Sequence, residues 1–347
     1  MRHLALIILT ISLLLSCSSE TGSTQASIPS QASPTLWPTR GWTYDTLAHS
    51  AQLDAKLDSF PGTYSLLVIQ DGKIAYETYQ APYGKDSLIH VNSCTKTVIS
   101  ILFGVLFQDD FAQHENRAAI SYFPEYGVSD THLQQIQVKH FLSMSSGLDW
   151  RGGIDATDVI QMSETNDWAK YVFERPIAGP PGESFHYNSG GTQVVSSILH
   201  RQSEEGLLAY AQEHLFQPLG ISDLQWDLTP TGIPKAGWGL HIKMHDLAKL
   251  GYLLLQEGSW EAEQIVPQAW VEKLSRKQVV ANDTYDYGYQ VWIPTSIGAE
   301  GFMFRGGYPP SIKVVTVLPE LNSVVVYVGE NHNSLDLLRE FVVPVLE

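Results

Sequence analysis

Ser93 and Lys96 stand three residues apart in the segment His90-Val-Asn-Ser-Cys-Thr-Lys-Thr-Val-Ile-Ser-Ile-Leu-Phe-Gly-Val-Leu106, the single occurrence of Ser-x-x-Lys in the chain. Val98, Ile99, Ile101, Leu102, Val105 and Leu106 recur at helical spacing, and the stripe is broad enough for a helix buried on most sides. On a helix, residues i and i+3 are surface neighbours, which puts the lysine amine within reach of the serine hydroxyl. A lysine at the mouth of an apolar helix loses hydration, and that disfavours its charged form and makes it a base for the hydroxyl. At a helix start Ser93 also presents its own N–H to an oxyanion. The competing reading is a serine N-cap followed by a surface lysine. Cys94, between the two, is a second nucleophile on paper. At the second position of the first turn it points away from Lys96, as a small buried residue.

The elements that must position this pair can be traced from the rest of the chain. Its 347 residues, 44% of them hydrophobic, suffice for one domain with two lobes. Leu47 to Leu57 reads as a helix. Thr63 to Gln70 and Lys73 to Tyr79 alternate around Asp71-Gly72, a hairpin signal. From about residue 108 to 246 the patterns are helical or loop-like, with helices expected at Val138–Met144, Asp158–Met162, Asp167–Phe173, Gly191–Gln202 and Leu207–Phe216. His245–Glu257 and Pro267–Arg276 add two more. Tyr287–Ile293, Gly301–Arg305, Lys313–Leu318 and Ser323–Val328 are β-rich runs, and Leu335–Val343 closes as a helix. The expected class is α/β of the α+β type. An antiparallel sheet built from N- and C-terminal strands is flanked by helices, and the middle forms an inserted helical lobe. The Ser93 helix then lies at the junction, where clefts occur.

The N-terminus reads as a targeting segment. Met1-Arg2-His3 is basic, and the apolar run Leu4 to Leu15 is too short to span a bilayer, as in a signal-peptide core. Leu14-Leu15-Ser16-Cys17 resembles the lipobox of bacterial lipoproteins. That resemblance implies removal of residues 1–16, acylation of Cys17, a flexible Ser/Thr/Pro-rich tether over 17–40, and a folded domain over 41–347. It further implies a bacterial cell envelope location; Ser18 after the cysteine points to the periplasmic side of the outer membrane in a Gram-negative cell. The rival is an ordinary secretory signal with a coincidental cysteine. With Cys17 committed to lipid, Cys94 has no disulfide partner. The formal net charge of −16 argues against nucleic acid. Oligomeric state is not readable.

From about Trp42 onward, several stretches together resemble the serine β-lactamase and penicillin-binding-protein superfamily, in its class C-like branch of esterases, amidases and 6-aminohexanoate-dimer hydrolases. Ser93-Cys-Thr-Lys96 is similar to the first motif, and Val138-Lys-His-Phe-Leu-Ser-Met-Ser-Ser-Gly-Leu-Asp-Trp150 to a stretch of this branch. Phe185-His-Tyr-Asn-Ser-Gly-Gly191 resembles the second motif. Gly237-Trp-Gly-Leu240 through Asp246-Leu-Ala-Lys-Leu-Gly251, and Tyr287-Gly-Tyr-Gln-Val-Trp292, follow in order. The resemblance implies Ser93 as nucleophile, with Lys96 as its base or as the group holding Tyr187 in a phenolate-like role. Tyr187, with an ordinary pKa of about 10, then needs nearby cations to lower it. Asn188 is a polar substrate contact in this reading. Phe304-Arg-Gly306-Gly307 resembles the third motif, and Lys313-Val-Val-Thr-Val-Leu-Pro319 the strand that follows it. Gly306 is the motif glycine and the Gly307 N–H the second oxyanion donor. The motif's usual cation is absent unless Arg305 replaces it, and on a strand only one of Phe304 and Arg305 faces the cleft.

The implied activity is hydrolysis of a small-molecule amide or ester through a Ser93 acyl-enzyme, with no cofactor. A DD-peptidase or β-lactamase is the rival enzyme reading, and a non-catalytic lipoprotein that binds a cell-wall fragment is the rival from another class. There is no G-x-S-x-G elbow, H-E-x-x-H or paired Cys/His spacing, so neither a Ser-His-Asp hydrolase nor a metal is indicated. His90, His186, His241 and His245 lie near the motifs as surface or capping groups, and Trp150, Trp168 and Trp238 are expected mainly in the core.

Overall fold

Asp71 and Gly72 both adopt left-handed backbone (φ 50° and 74°), as a two-residue turn between twisted strands requires. They join Thr63–Gln70 to Lys73–Tyr79, so the first hairpin forms where its turn chemistry placed it. The computed structural model describes residues 37–45, 50–57, 60–127, 130–152, 156–308, 311–330 and 334–347. The basic start, the Leu4–Leu15 run and Cys17 lie outside the described residues.

In chain order the strands are Thr43–Tyr44 (β1), Thr63–Gln70 (β2), Lys73–Tyr79 (β3), Ile89–His90 (β4), Leu224–Trp226 (β5), Leu240–Ile242 (β6), Ser259–Trp260 (β7) and Glu263–Gln264 (β8). Val279–Val280 (β9), Tyr285–Tyr287 (β10), Trp292–Pro294 (β11), Phe302–Tyr308 (β12), Ser311–Leu318 (β13) and Ser323–Glu330 (β14) follow. One sheet takes the order β1-β3-β2-β14-β13-β12-β11-β10-β9. Strands from both ends of the chain therefore complete a single sheet. The short edge strand β1 runs parallel to β3, which makes the sheet mixed; the other pairs are antiparallel.

Valine-rich β13 and β14 lie at the centre, buried along their length except at Ser311 and Glu330, because both sheet faces are covered. Helix Ser50–Leu57 and the closing helical segment from Ser334 to Leu346 cover one face. The other face packs on Met244–Leu255 and on Thr95–Phe107, in which every residue except Leu106 is buried. Gly251 permits that closeness, since a Cβ there would lie 2.7 Å from Val324 and 2.9 Å from Val315 of the sheet; Gly104 does the same for helix Gln268–Leu274, where a Cβ would lie 2.3 Å from the Trp270 ring, whose Nε1 donates to Ser100 O at 2.8 Å.

Two features depart from the pattern reading. Tyr287–Ile293 is not one strand. A Cβ at Gly288 would lie 2.1 Å from Leu274 O, and the chain turns there, with Gly288 N–H bonded to Val291 O and Gln290 at φ 64°, so that Tyr287 faces Trp292 across a hairpin. The helical lobe is also not purely helical, since β4, β6 and β5 form a small separate sheet. Those strands are two or three residues long, too short for alternation to announce them.

Candidate active site

A single tight turn, Asn92–Cys94, carries Ser93 into helix Thr95–Phe107. Asn92 is left-handed (φ 50°), and its carbonyl accepts from Thr95 Oγ1 at 2.7 Å. The same hydroxyl accepts from Leu240 N–H, and Val91 N–H bonds to Leu240 O, so β6 fixes the turn from one side. Strand β12 fixes it from the other. A Cβ on Gly306 would stand 2.4 Å from Ser93 N and 2.6 Å from Cys94 N, so only glycine lets the strand approach this closely. Ser93, Tyr187, Trp292, Arg305, Gly306, Gly307 and Ile312 line a cleft of about 210 Å³.

Lys96 is 1% exposed. Its Nζ lies 3.0 Å from Ser93 Oγ and 2.6 Å from Gly237 O. As an ammonium it donates to both; as a neutral amine it accepts the Ser93 O–H. Among the described residues no carboxylate lies within ion-pairing distance of it. Burial therefore acts almost alone and pulls its pKa from 10.5 down to about 7. Tyr187 moves the other way. Desolvation raises its phenol above 10, and a hydrogen bond with Ser93 and the charge of Arg305 only partly oppose this. The Lys96 Nζ sits 4.9 Å from the Tyr187 ring centroid. Of the two roles left open by the sequence, the electrostatics favour Lys96 as base beside a neutral phenol, since no cation lowers Tyr187 enough for a phenolate. Two titratable groups pushed apart in this way divide base from proton donor.

The sequence did not show what holds Lys96. Gln193 binds the Pro234–Gly237 segment through Nε2 to Pro234 O and Oε1 from Ala236 N–H, and Ser196 Oγ also donates to Pro234 O. Helix Ser189–Gln202 thereby aims the Gly237 carbonyl at the lysine. Gln290 joins three elements. Its Nε2 donates to Phe141 O and Leu142 O, its Oε1 accepts from Thr192, and its carbonyl accepts from Thr97.

Asn188 has a structural role that the motif reading did not give it. It is buried and absent from the cleft lining, and its Oδ1 accepts from Gly191 N–H as the N-cap of Ser189–Gln202. An asparagine immediately before a helix is a capping residue first, a signal present in the sequence. Phe304 is fully buried in the core, whereas Arg305 lines the cleft with Nη1 donating to Tyr285 OH at 2.6 Å. Gly307 (φ 143°) sits against Ser311, where a Cβ would be 2.5 Å from the carbonyl. Cys94 is buried with Sγ directed at Lys313 O, and burial pushes its thiol up to about 12, which leaves it inert. Trp292 was part of a matched stretch but had no assigned role. It stacks on Tyr187 at 5.8 Å and stands edge-on to Tyr287 at 4.9 Å, forming the cleft's aromatic wall.

The histidines singled out lie outside the cleft lining. His90 and His241 pair across β4 and β6, His245 bonds Glu77, and His186 bonds Trp150 O. Among the described residues, Glu205, Glu213 and His214 group at metal-ligand spacing, all exposed and none in the cleft lining.

A family model described as Beta-lactamase matches residues 51–335. The 6-aminohexanoate-dimer hydrolase of Paenarthrobacter ureafaciens is 23% identical over 227 residues, which are 61% of this chain and 57% of that protein. The chain thus matches little more than half the length of this curated relative. A Bacillus anthracis protein provisionally described as a 6-aminohexanoate-dimer hydrolase superposes with a TM-score of 0.70 at 19% identity, covering 84% of this chain and 81% of the other. A penicillin binding protein from Bacillus halodurans gives 0.64 at 16% identity, with 80% and 95% covered. A D-stereospecific amidohydrolase from Streptomyces sp. gives 0.65 at 13%, with 86% and 99% covered. At these identities the structural likeness concerns the fold.

Proposed function

The chain belongs to the beta-lactamase family, and on that premise we propose that it is a serine hydrolase that cleaves a small-molecule amide or ester through a Ser93 acyl-enzyme. The observation that carries this reading is the buried Lys96 amine, with its pKa lowered to about 7, 3.0 Å from Ser93 Oγ. Ser93 Oγ attacks the carbonyl carbon while its proton passes to Lys96 Nζ. The oxyanion is met by the N–H groups of Ser93 and Gly307. As the tetrahedral adduct collapses, the Tyr187 phenol protonates the departing amine or alcohol and regains a proton from the Lys96 ammonium. Water then attacks the acyl-enzyme with the same groups in reverse roles, and Ser93 is restored. The amide-cleaving descriptions of relatives support the amide side of this proposal.

The position of the third motif's cation holds the buried Phe304, which weighs against a DD-peptidase or β-lactamase. A binding lipoprotein would have no chemical use for a buried lysine of lowered pKa beside a serine. The test is turnover of short 4-nitrophenyl esters and anilides, with nitrocefin in parallel. Wild type is expected to hydrolyse the esters, Ser93→Ala to lose about 10³-fold or more, and nitrocefin to remain intact. An inactive wild type would remove the enzyme reading, and rapid nitrocefin hydrolysis would favour the rival. For location, we propose acylation of Cys17 and a cell-envelope site. Cys17→Ser should then fractionate with soluble protein, and a variant that stays in membranes would count against the anchor.

A further inference from the structure

Trp292 is half-buried at the cleft wall, with the rings of Phe185, Tyr187, Tyr285 and Tyr287 around its indole. Tyr287 stands edge-on to it at 4.9 Å (85°), Tyr285 at 5.4 Å (71°) and Phe185 at 5.6 Å (63°). Of these rings Tyr187 alone lies nearly parallel to the indole, at 26°. Edge-on contacts set the positive rim of one ring against the negative face of another, so three of them fix the tilt of the indole. Its backbone is fixed as well. Trp292 faces Tyr287 across the hairpin that turns at Gly288–Val291, and Gln290 in that turn is bonded to Phe141, Leu142, Thr192 and Thr97. Thr97 belongs to the Lys96 helix and Thr192 to the helix that follows Tyr187. The indole is thus anchored to both elements that carry the proton-handling groups. Tyr187 is held less firmly at its tip. Among the described residues its hydroxyl has one side-chain hydrogen-bond partner, Ser93, whose oxygen enters the covalent adduct, so this bond cannot hold the phenol through the reaction. The Trp292 face is what remains beside the phenol ring at every stage. Nor does Trp292 serve the core alone, since Tyr285 and Tyr287 beside it are buried while its own ring is left at the cleft.

We propose that Trp292 is a positioning residue for Tyr187, its indole plane holding the phenol so that the hydroxyl faces the departing atom. This rests on the hydrolase reading and concerns one step of it. As the bond from the carbonyl carbon breaks, the phenol proton passes to the leaving oxygen or nitrogen, and the Lys96 ammonium returns a proton to the phenolate oxygen. A stable anion departs without that proton, whereas a basic one needs it. Trp292 thereby sets how poor a leaving group the enzyme expels, and with it whether the range extends from activated esters to amides.

The experiment compares kcat/KM for 4-nitrophenyl butyrate and phenyl butyrate, which share an acyl group and a phenyl ring and differ in the basicity of the phenolate released. Wild type, Trp292→Leu, Trp292→Phe and Tyr187→Phe are assayed, together with the double variant of Trp292→Leu and Tyr187→Phe. Trp292→Leu is expected to lose about tenfold more on the phenyl ester than on the nitrophenyl ester, a loss suited to a displaced proton donor. Trp292→Phe keeps a ring to stack and should show a smaller selective loss. In the Tyr187→Phe background, removing Trp292 should add no further selective loss, because the two side chains act as one unit. Equal losses on the two esters would overturn the proposal, since a residue that only packs or touches the substrate ring does not tell them apart. So would a selective loss that persists in the Tyr187→Phe background. If Trp292→Leu fails to fold, Trp292→Phe carries the same two comparisons. Failure of the hydrolase reading would look different, because wild type would not turn over even the nitrophenyl ester.

Discussion

Lys96 has to be unprotonated to take the Ser93 proton, and burial sets the pH at which that holds. Its pKa of about 7, down from 10.5, means that the competent amine grows in as pH rises through neutrality. The log of kcat/KM should therefore climb with unit slope below pH 7 and level off above it. Tyr187 is shifted upward, so no falling limb from phenol ionisation is expected below pH 10. A profile flat from pH 5 to 9 would mean that Lys96 is not the base. Lys96→Ala should cost about 10²–10⁴-fold in kcat, the usual range for removing a general base. The contact between Ser93 and Lys96 is legible from sequence because the i, i+3 spacing sets it. The direction of each shift is not, since it depends on which elements fold over the pair.

At the scale of elements, the turn Asn92–Cys94 is clamped between β6 and β12, and helix Ser189–Gln202 holds the Gly237 carbonyl at Lys96. Asn188 and Gly306 separate folding from chemistry within this arrangement. Asn188→Ala removes the cap of a buried helix and should lower stability by about 0.5–2 kcal/mol, while Asn188→Asp keeps the oxygen and most of the stability. Gly306→Ala puts a methyl group 2.4 Å from Ser93 N, so β12 must retreat and the oxyanion donors separate. Its kcat should fall by about 10²-fold or more with the secondary structure intact. Thermal denaturation followed by circular dichroism, with ester kinetics on the same samples, checks both; a Gly306→Ala enzyme of normal rate would contradict the role given to that strand. The hairpin around Asp71-Gly72 and the helix after Ser93 were legible because turn chemistry and periodicity are local. The corner at Gly288–Val291 was not, because what forces it is a contact with Leu274, distant in sequence.

For the whole molecule, the site exists because strands from both chain ends close one sheet and the helical lobe between them returns to cover the Ser93 helix. The run of ordered motifs made that architecture readable in advance. It could not show that the Gly237 carbonyl and Gln290 join lobe to sheet, since such hydrogen bonds follow from tertiary placement rather than residue type. The central claim is that Ser93, activated by Lys96, is the nucleophile of this fold. Its most direct test is reaction with a fluorophosphonate probe, read by intact mass and peptide mapping. One adduct at Ser93 in wild type, absent from Ser93→Ala and formed far more slowly in Lys96→Ala, is the predicted result. No adduct on the folded wild type, or an adduct that persists in Ser93→Ala, would contradict it.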